Sequence, residues 1–335
     1  MKLPALSMKL KIATALIVTL ALVVVGFVAF SFAQYSAGRN YLEPEKTVVI
    51  ASGMGARAIV KQLHKEGVIP APWFIALPMM LSHDTKSLKA GEYVFTSGMS
   101  AHDVLQKIAR GEVVVHKVTI PEGWNVMQIR AALEAQPLLT GDVPPNLTEG
   151  SVFPETELFQ RGETRSEVVG RMQKRMRDAL NDVWQNRADD LPFDSKQDAL
   201  ILASIVEKET GVKDERGRVA AVFVNRLRDG MLLQTDPTVV YGIEQEDGRP
   251  MTRALTTRDL ERDTPWNTYT RAGLPPTPIC SPGLASIKAV LNPPQTDEYY
   301  FVATGDGGHY FAKSLREHNE NVVKYKAKLR KLAED

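Results

Sequence analysis

The chain is poor in the residues that would tie it to metal, redox or nucleic-acid chemistry. A single cysteine, Cys280, among 335 residues excludes an intrachain disulfide framework. With no His or Asp partner close in sequence, that thiol is also a poor candidate for a nucleophile. The six histidines are scattered, with no HExxH string and no Cys/His cluster, so no metal site is expected, and no cofactor either. Lys and Arg number 41 against 40 Asp and Glu, and this near-neutral balance lacks the basic surface that a nucleic-acid partner requires. The length accommodates two domains.

What is present begins with an uncharged apolar run, Ile12 to Ala33, long enough at about 1.5 Å per residue to cross a bilayer. Lys2, Lys9 and Lys11 precede it, and only Arg39 lies close behind. The positive-inside rule then makes residues 1–11 a cytoplasmic tail and 12–33 a transmembrane anchor, with the rest of the chain on the far side. A signal peptide cleaved after Ser31-Phe32-Ala33 is the rival reading; the run exceeds the usual apolar region of a signal, which favours a retained anchor. Tyr35 then belongs at the outer interface, and residues 34–45 read as a short polar linker.

Residues 46–145 read as a small α+β domain containing an internal repeat. Thr47–Leu63, Glu92–Ile108 and Lys117–Leu133 each run strand, glycine turn, helix. Val48, Tyr93 and Val118 align, as do Ile50, Phe95 and Ile120, then Gly53, Gly98 and Gly123, then Ile59, Val104 and Ile129. The irregular intervals between copies argue for one compact domain rather than a solenoid. Trp73 and Trp124 suit sugar stacking no better than they suit packing.

Pro144-Pro145 marks the passage to a mostly helical region, 146–335. Glu155 offers a carboxylate, though a Pro-Glu step is more often structural. Arg165 to Trp184 has its apolar residues at helical spacing and reads as an amphipathic surface helix. From Ala199 to Val206 all but Ser204 are apolar, so this helix is expected to be buried on every side. It ends in Glu207, Lys208 and Glu209, with Gly211 placed to close it in the left-handed conformation. An acid at the inner end of a buried helix is desolvated, which suits a general acid, and Glu207 and Glu209 lie about 200° apart.

A second helix, Arg216 to Leu227, carries Asn225. Beyond Gly230, Asp236 is expected as the N-cap of a third, with Pro237 at its first position and Gln234 and Thr235 on a tight loop. Thr256 to Leu260 starts another helix. Pro265 to Gly283 is a stiff Pro- and Gly-rich loop presenting Asn267, Thr268 and Tyr269 as a cleft wall. A hairpin around Gly305 to Gly308 and a basic helix from Leu315 to Leu332 close the chain, with His309 read as a packing residue.

The strings ASIVEKET, VFVNRL, LQTDPTVVYG and WNTYTRAGLPPTPICSPG resemble the catalytic core of the YceG-like (MltG) family of bacterial endolytic murein transglycosylases. The similarity runs over nearly the whole chain after its first residues, and it departs from the family at Glu157, where a Tyr is usual. The resemblance implies an α+β protein with an N-terminal transmembrane helix, a LysM-like domain and a mostly helical, lysozyme-like catalytic domain. It implies residence in the inner membrane, with the catalytic domain outside the cytoplasm. The implied reaction cuts the MurNAc–GlcNAc β-1,4 bond of nascent glycan strands and leaves a 1,6-anhydroMurNAc end, which would terminate elongation. Glu207 is the acid/base on this reading. Ser204, Glu209, Asn225, Gln234, Thr235, Asp236, Tyr241, Asn267 and Tyr269 are candidates for holding sugars, chosen by polarity and loop placement. Peptidoglycan strands are the expected partner, with peptidoglycan synthases beside them in the membrane. The LysM-like domain would contact glycan or act as a spacer. Two alternatives stay open: a hydrolytic muramidase using Glu207 with Asp236 or Glu209, and a non-catalytic scaffold for cell-wall synthesis.

Overall fold

The computed structural model describes residues 8–39, 44–82 and 88–334. Part of the expected tail and residues 40–43 of the expected linker lie outside the described residues. The chain forms two compact units, one holding residues through His116 together with Gln160–Gly162, the other Lys117–Phe159 with Glu163–Asp335.

In the first unit, α1 (Met8–Ser36) is, among the described residues, the one helix long and apolar enough to cross a membrane. It runs past the expected boundary at Ala33, and Tyr35 is buried. The Tyr35 hydroxyl lies 3.1 Å from Ser82 Oγ and 3.2 Å from His102 Nδ1. Just beyond, the Arg39 N–H donates to the Met99 carbonyl at 3.0 Å and the Gly98 N–H to the Arg39 carbonyl at 2.6 Å. The residues read as a linker therefore begin as helix and backbone bridge, because buried tyrosine and paired backbone hold them to the unit's own core.

There follow β1 (Glu45–Ile50), α2 (Ala56–Lys65), α3 (Pro72–Ser82), β2 (Gly91–Thr96) and α4 (Ala101–Arg110). β1 and β2 pair antiparallel with Val48 opposite Tyr93. Alternation buries Val48, Ile50, Tyr93 and Phe95 on one face, where Ile59, Leu63, Val104 and Ile108 of the two repeat helices cover them. A Ser100–Asp103 capping box starts α4 and left-handed Gly111 ends it.

The third repeat copy sits in the second unit. Its strand β3 (His116–Thr119) pairs with β4 (Thr156–Phe159), and its helix is α5 (Val126–Glu134). Val118, Ile120, Ile129 and Leu133 pack with Val152, Phe159, Val168 and Met172. The boundary thus falls near His116 rather than at 145, because β1 and β2 satisfy each other and the third strand finds its partner downstream. The aligned glycines Gly53, Gly98 and Gly123 take φ of 81°, 94° and 78°, a region an L side chain rarely adopts, which is why each copy turns on glycine.

The rest is mostly helical: α6 (Arg165–Trp184), α7 (Lys196–Glu209), α8 (Arg216–Arg228), α9 (Asp236–Asp247), α10 (Thr257–Leu260) and α11 (Leu284–Leu291), then the hairpin β5 (Tyr300–Ala303) and β6 (His309–Ala312), and α12 (Leu315–Glu334). α7 is the central helix. Every residue from Ala199 to Val206 is buried, and Leu202 and Val206 share a core with Phe223 of α8 and Ile287 and Leu291 of α11. A helix apolar on all sides can be stable only where neighbours surround it, and its C-terminus is therefore delivered into the middle of the unit.

Candidate functional site

The end of α7 sends its two acids to opposite flanks. Glu207 turns toward the start of α11, where its Oε2 accepts the Gly283 N–H at 2.9 Å and the Ser286 hydroxyl at 2.7 Å. Its Oε1 lies 3.9 Å from Nη2 of buried Arg216. Glu207 so accepts from donors at the start of α11. Glu122 presses against Gly283 from the other side, and burial together with the Glu207 charge pushes its carboxyl up.

Glu209 turns the other way and lines a pocket of about 430 Å³ with Arg226, Gln234, Asp236, Tyr269, Tyr300 and His318. The Thr235 hydroxyl donates to its Oε1. Burial pushes the Glu209 carboxyl up to about 7; the Thr235 hydrogen bond opposes the rise and the neighbouring Asp236 charge adds to it. A carboxyl so placed holds a proton over much of the neutral range and gives it up readily.

The loop that faces Glu209 is held from behind. Gln234 adopts φ of 51°, the one non-glycine residue with positive φ among the described residues. Its N–H donates to the Thr268 carbonyl at 3.1 Å, and the Thr235 N–H donates to Thr268 Oγ1 at 3.1 Å. Thr235, not Asp236, is the N-cap of α9, and its side chain caps nothing because the hydroxyl is spent on Glu209. The expected left-handed cap at Gly211 is likewise absent: α7 ends on extended, buried Thr210. Asn267 is fully buried and braces the wall loop, donating to the Leu260 and Arg262 carbonyls while accepting from the Tyr269 N–H. Tyr269 then donates to Asp236 Oδ1 at 2.6 Å.

Asp236 also lines a second pocket of about 270 Å³, with Asn125 and Gln128 from the third repeat copy, Lys208, Tyr241 and Glu244. Behind it the Tyr241 hydroxyl donates to Glu149 at 3.2 Å, and burial pushes the Glu149 carboxyl up to about 7 against the lowering effect of the Val126 N–H.

Of the residues expected to hold sugars, Glu209, Gln234, Asp236 and Tyr269 meet at the first pocket with Thr235 beside them, and Tyr241 joins Asp236 at the second. Ser204, Asn225 and Asn267 line neither pocket. The Ser204 hydroxyl donates to the Ile201 carbonyl and accepts the Ile279 N–H, and Asn225 donates to the Thr296 and Glu298 carbonyls. Arg226, Tyr300, His318, Asn125 and Gln128 were not expected. Arg226 had a weak signal, one of two arginines in the last turn of α8 after an apolar run, and it donates to the carbonyls of Tyr299, Leu232 and Leu233. Glu155, the other acid considered, is ion-paired with Arg175.

A carboxyl raised by burial to about 7 in a polar pocket, one oxygen held by a hydroxyl, is an arrangement suited to acid–base chemistry. The profile of the YceG-like family matches residues 48–324. The endolytic murein transglycosylase of Bacillus subtilis is 31% identical over 86% of this chain and 89% of its own length. That of Streptococcus pneumoniae D39 is 27% identical over 83% of this chain, which spans 58% of the pneumococcal protein. The crystal structure of a YceG-like protein from Listeria monocytogenes is 30% identical and superposes with a TM-score of 0.50, covering 83% of this chain and 98% of that one. The chain belongs to the YceG-like family.

Proposed function

We propose that the chain is an endolytic murein lytic transglycosylase and that its acid/base is Glu209 rather than Glu207. The observation that supports the assignment is geometric: Glu209 lines the larger pocket, where burial raises its carboxyl to about 7, while Glu207 lines neither pocket and its Oε2 accepts from the Gly283 N–H and the Ser286 hydroxyl. Protonated Glu209 gives its proton to the glycosidic oxygen between MurNAc and GlcNAc as positive charge builds at the anomeric carbon. The resulting carboxylate takes the proton of the same sugar's 6-hydroxyl, whose oxygen attacks that carbon and closes a 1,6-anhydro ring. The proton balance returns to its start and no water is consumed. The Thr235 hydrogen bond orients the carboxyl through both halves, and Asp236 places negative charge where the cation develops.

Two pockets meeting at Asp236 suit a polymer that continues on either side of the cut, as endolytic action demands. Asp236 beside Glu209 also favours one second reading, a hydrolase with a carboxylate pair. The full chain, incubated in detergent with uncrosslinked glycan strands, separates the two by product mass: anhydro ends for the transglycosylase, reducing ends for the hydrolase. Uncut strands would leave only a scaffold.

On this reading the helical unit is lysozyme-like and the first unit LysM-like. α1 anchors the chain in the inner membrane with residues 1–11 in the cytoplasm, the catalytic unit outside it, and peptidoglycan synthases as neighbours.

A further inference from the structure

α3 is an apolar helix with no charged residue, and it turns a continuous apolar stripe outward. Trp73, Leu77, Met80 and Leu81 follow the i, i+4, i+7, i+8 spacing of one helix face, and their exposures are 61%, 38%, 73% and 61%. Ile75 and Pro78, on the other side, supply its buried contacts. An amphipathic helix on a protein surface ordinarily shows water its polar side; this one has none to show. A contiguous stripe of that kind marks a surface that something apolar covers.

The neighbour of α3 says what covers it. α3 packs along α1, and the Phe74 ring meets the Phe30 ring edge-on with centroids 5.3 Å apart. Phe30 lies inside the apolar run that ends at Ala33, so its ring sits about 5 Å inside the end of the spanning segment at 1.5 Å per residue. Any group beside Phe30 is at the depth of the outer hydrocarbon boundary when α1 spans a bilayer. The placement is firm, because Tyr35 is buried in the unit's core and the Gly38–Ser100 bridge ties the outer end of α1 to the same unit. Trp at this depth matches the preference of its ring for the headgroup level.

We infer that α3 is an interfacial helix that lies in the outer leaflet beside α1, with the lipid bilayer as the ligand of its Trp73–Leu81 stripe. The inference rests on α1 being a retained anchor. It gives the protein a second membrane contact, so that the first unit is seated on the membrane surface and cannot swing about a single helix.

The test places a nitroxide at Met80→Cys, at Leu22→Cys in the span, and at exposed Lys61→Cys on α2, in the full chain in phosphatidylcholine–phosphatidylglycerol nanodiscs. All three positions are exposed, so the fold tolerates the label, and labelling of the native chain measures any background from buried Cys280. At Met80 and Leu22, collision with oxygen should exceed collision with a water-soluble nickel chelate several-fold, and at Lys61 the order should reverse. A Met80 label as open to nickel as the Lys61 label, with Leu22 in lipid, overturns the inference and leaves the anchor standing. Both labels in water would remove the anchor and the inference together. A Met80 label closed to both reagents, with dipolar broadening between labels, would mean that a second copy covers the stripe, and would also overturn it.

Discussion

Replacing each acid at the end of α7 by its amide should give opposite results in activity and in stability. Glu209→Gln keeps an oxygen for Thr235 and removes the transferable proton, so cleavage should fall by at least the roughly 10²- to 10⁴-fold that acid–base catalysis supplies. Its stability should rise. The folded carboxyl titrates at about 7 against an ordinary 4.5, so the folded state holds the proton more tightly than the unfolded state does. Stability is therefore whole below about 4.5, declines as pH climbs to about 7, and is level above; the difference amounts to roughly 3 kcal/mol as an upper figure. An amide has no charge to desolvate, so at pH 8 Glu209→Gln should be more stable than the native chain by up to that amount, and equal to it at pH 4. Glu207→Gln should do the reverse. It turns an amide toward Arg216, which is 9% exposed and whose Nε is already without a partner, and should cost about 1–3 kcal/mol. The folded fraction should still cut glycan within a few-fold of the native rate. Urea unfolding at pH 4 and 8, beside product mass spectrometry on uncrosslinked strands, reads both effects. An active, pH-insensitive Glu209→Gln with a folded but dead Glu207→Gln would return the role to Glu207.

Cleavage by the native chain should fall about tenfold per pH unit above about 7, since the reaction begins with protonated Glu209; a rate rising from neutral to alkaline pH would refute that role. Glu149 also titrates at about 7 when folded, so Glu149→Gln should flatten part of the stability loss between about 4.5 and 7 in the same unfolding series. Gln234→Gly should relieve about 1 kcal/mol of strain at φ 51° while raising KM for glycan, because the loop relaxes and the pocket loses a side chain. Gly242→Ala should destabilise by about 1–3 kcal/mol despite better helix propensity, because its Cβ would lie 2.2 Å from Thr264 Oγ1 and 3.0 Å from Thr264 Cβ.

Local pattern carried most of the fold. The alternation of Val48 with Ile50 and of Tyr93 with Phe95, followed each time by glycine, specifies strand and turn without reference to the rest of the chain. Arg165–Trp184 and the apolar run of α7 were legible for the same reason. Partner choice was not legible. Three similar copies suggest three similar neighbours, yet pairing is satisfied by two, and only the downstream strand at Thr156 decides where the third goes. α3 is not legible in the sequence, because the all-apolar PWFIALPMMLS shows neither helical nor strand periodicity and Pro78 argues against a helix.

The site shows the same division between local and distant information. That Glu207 and Glu209 face opposite flanks follows from their spacing of two on a helix, where successive residues turn by about 100°. Which flank belongs to the pocket depends on Gly283 and Ser286 arriving on one side and Thr235 on the other, and neither arrival is written near α7. A backbone N–H and a hydroxyl aimed at Glu207 Oε2 tie that carboxylate to the start of α11. Glu209 meets a single hydroxyl, loses its water to the surrounding wall, and keeps one oxygen for whatever enters. A buried helix ending in two acids two residues apart can thus anchor its neighbour with one only by exposing the other. On the proposed reading, the acid left with fewer partners is the one that lends its proton.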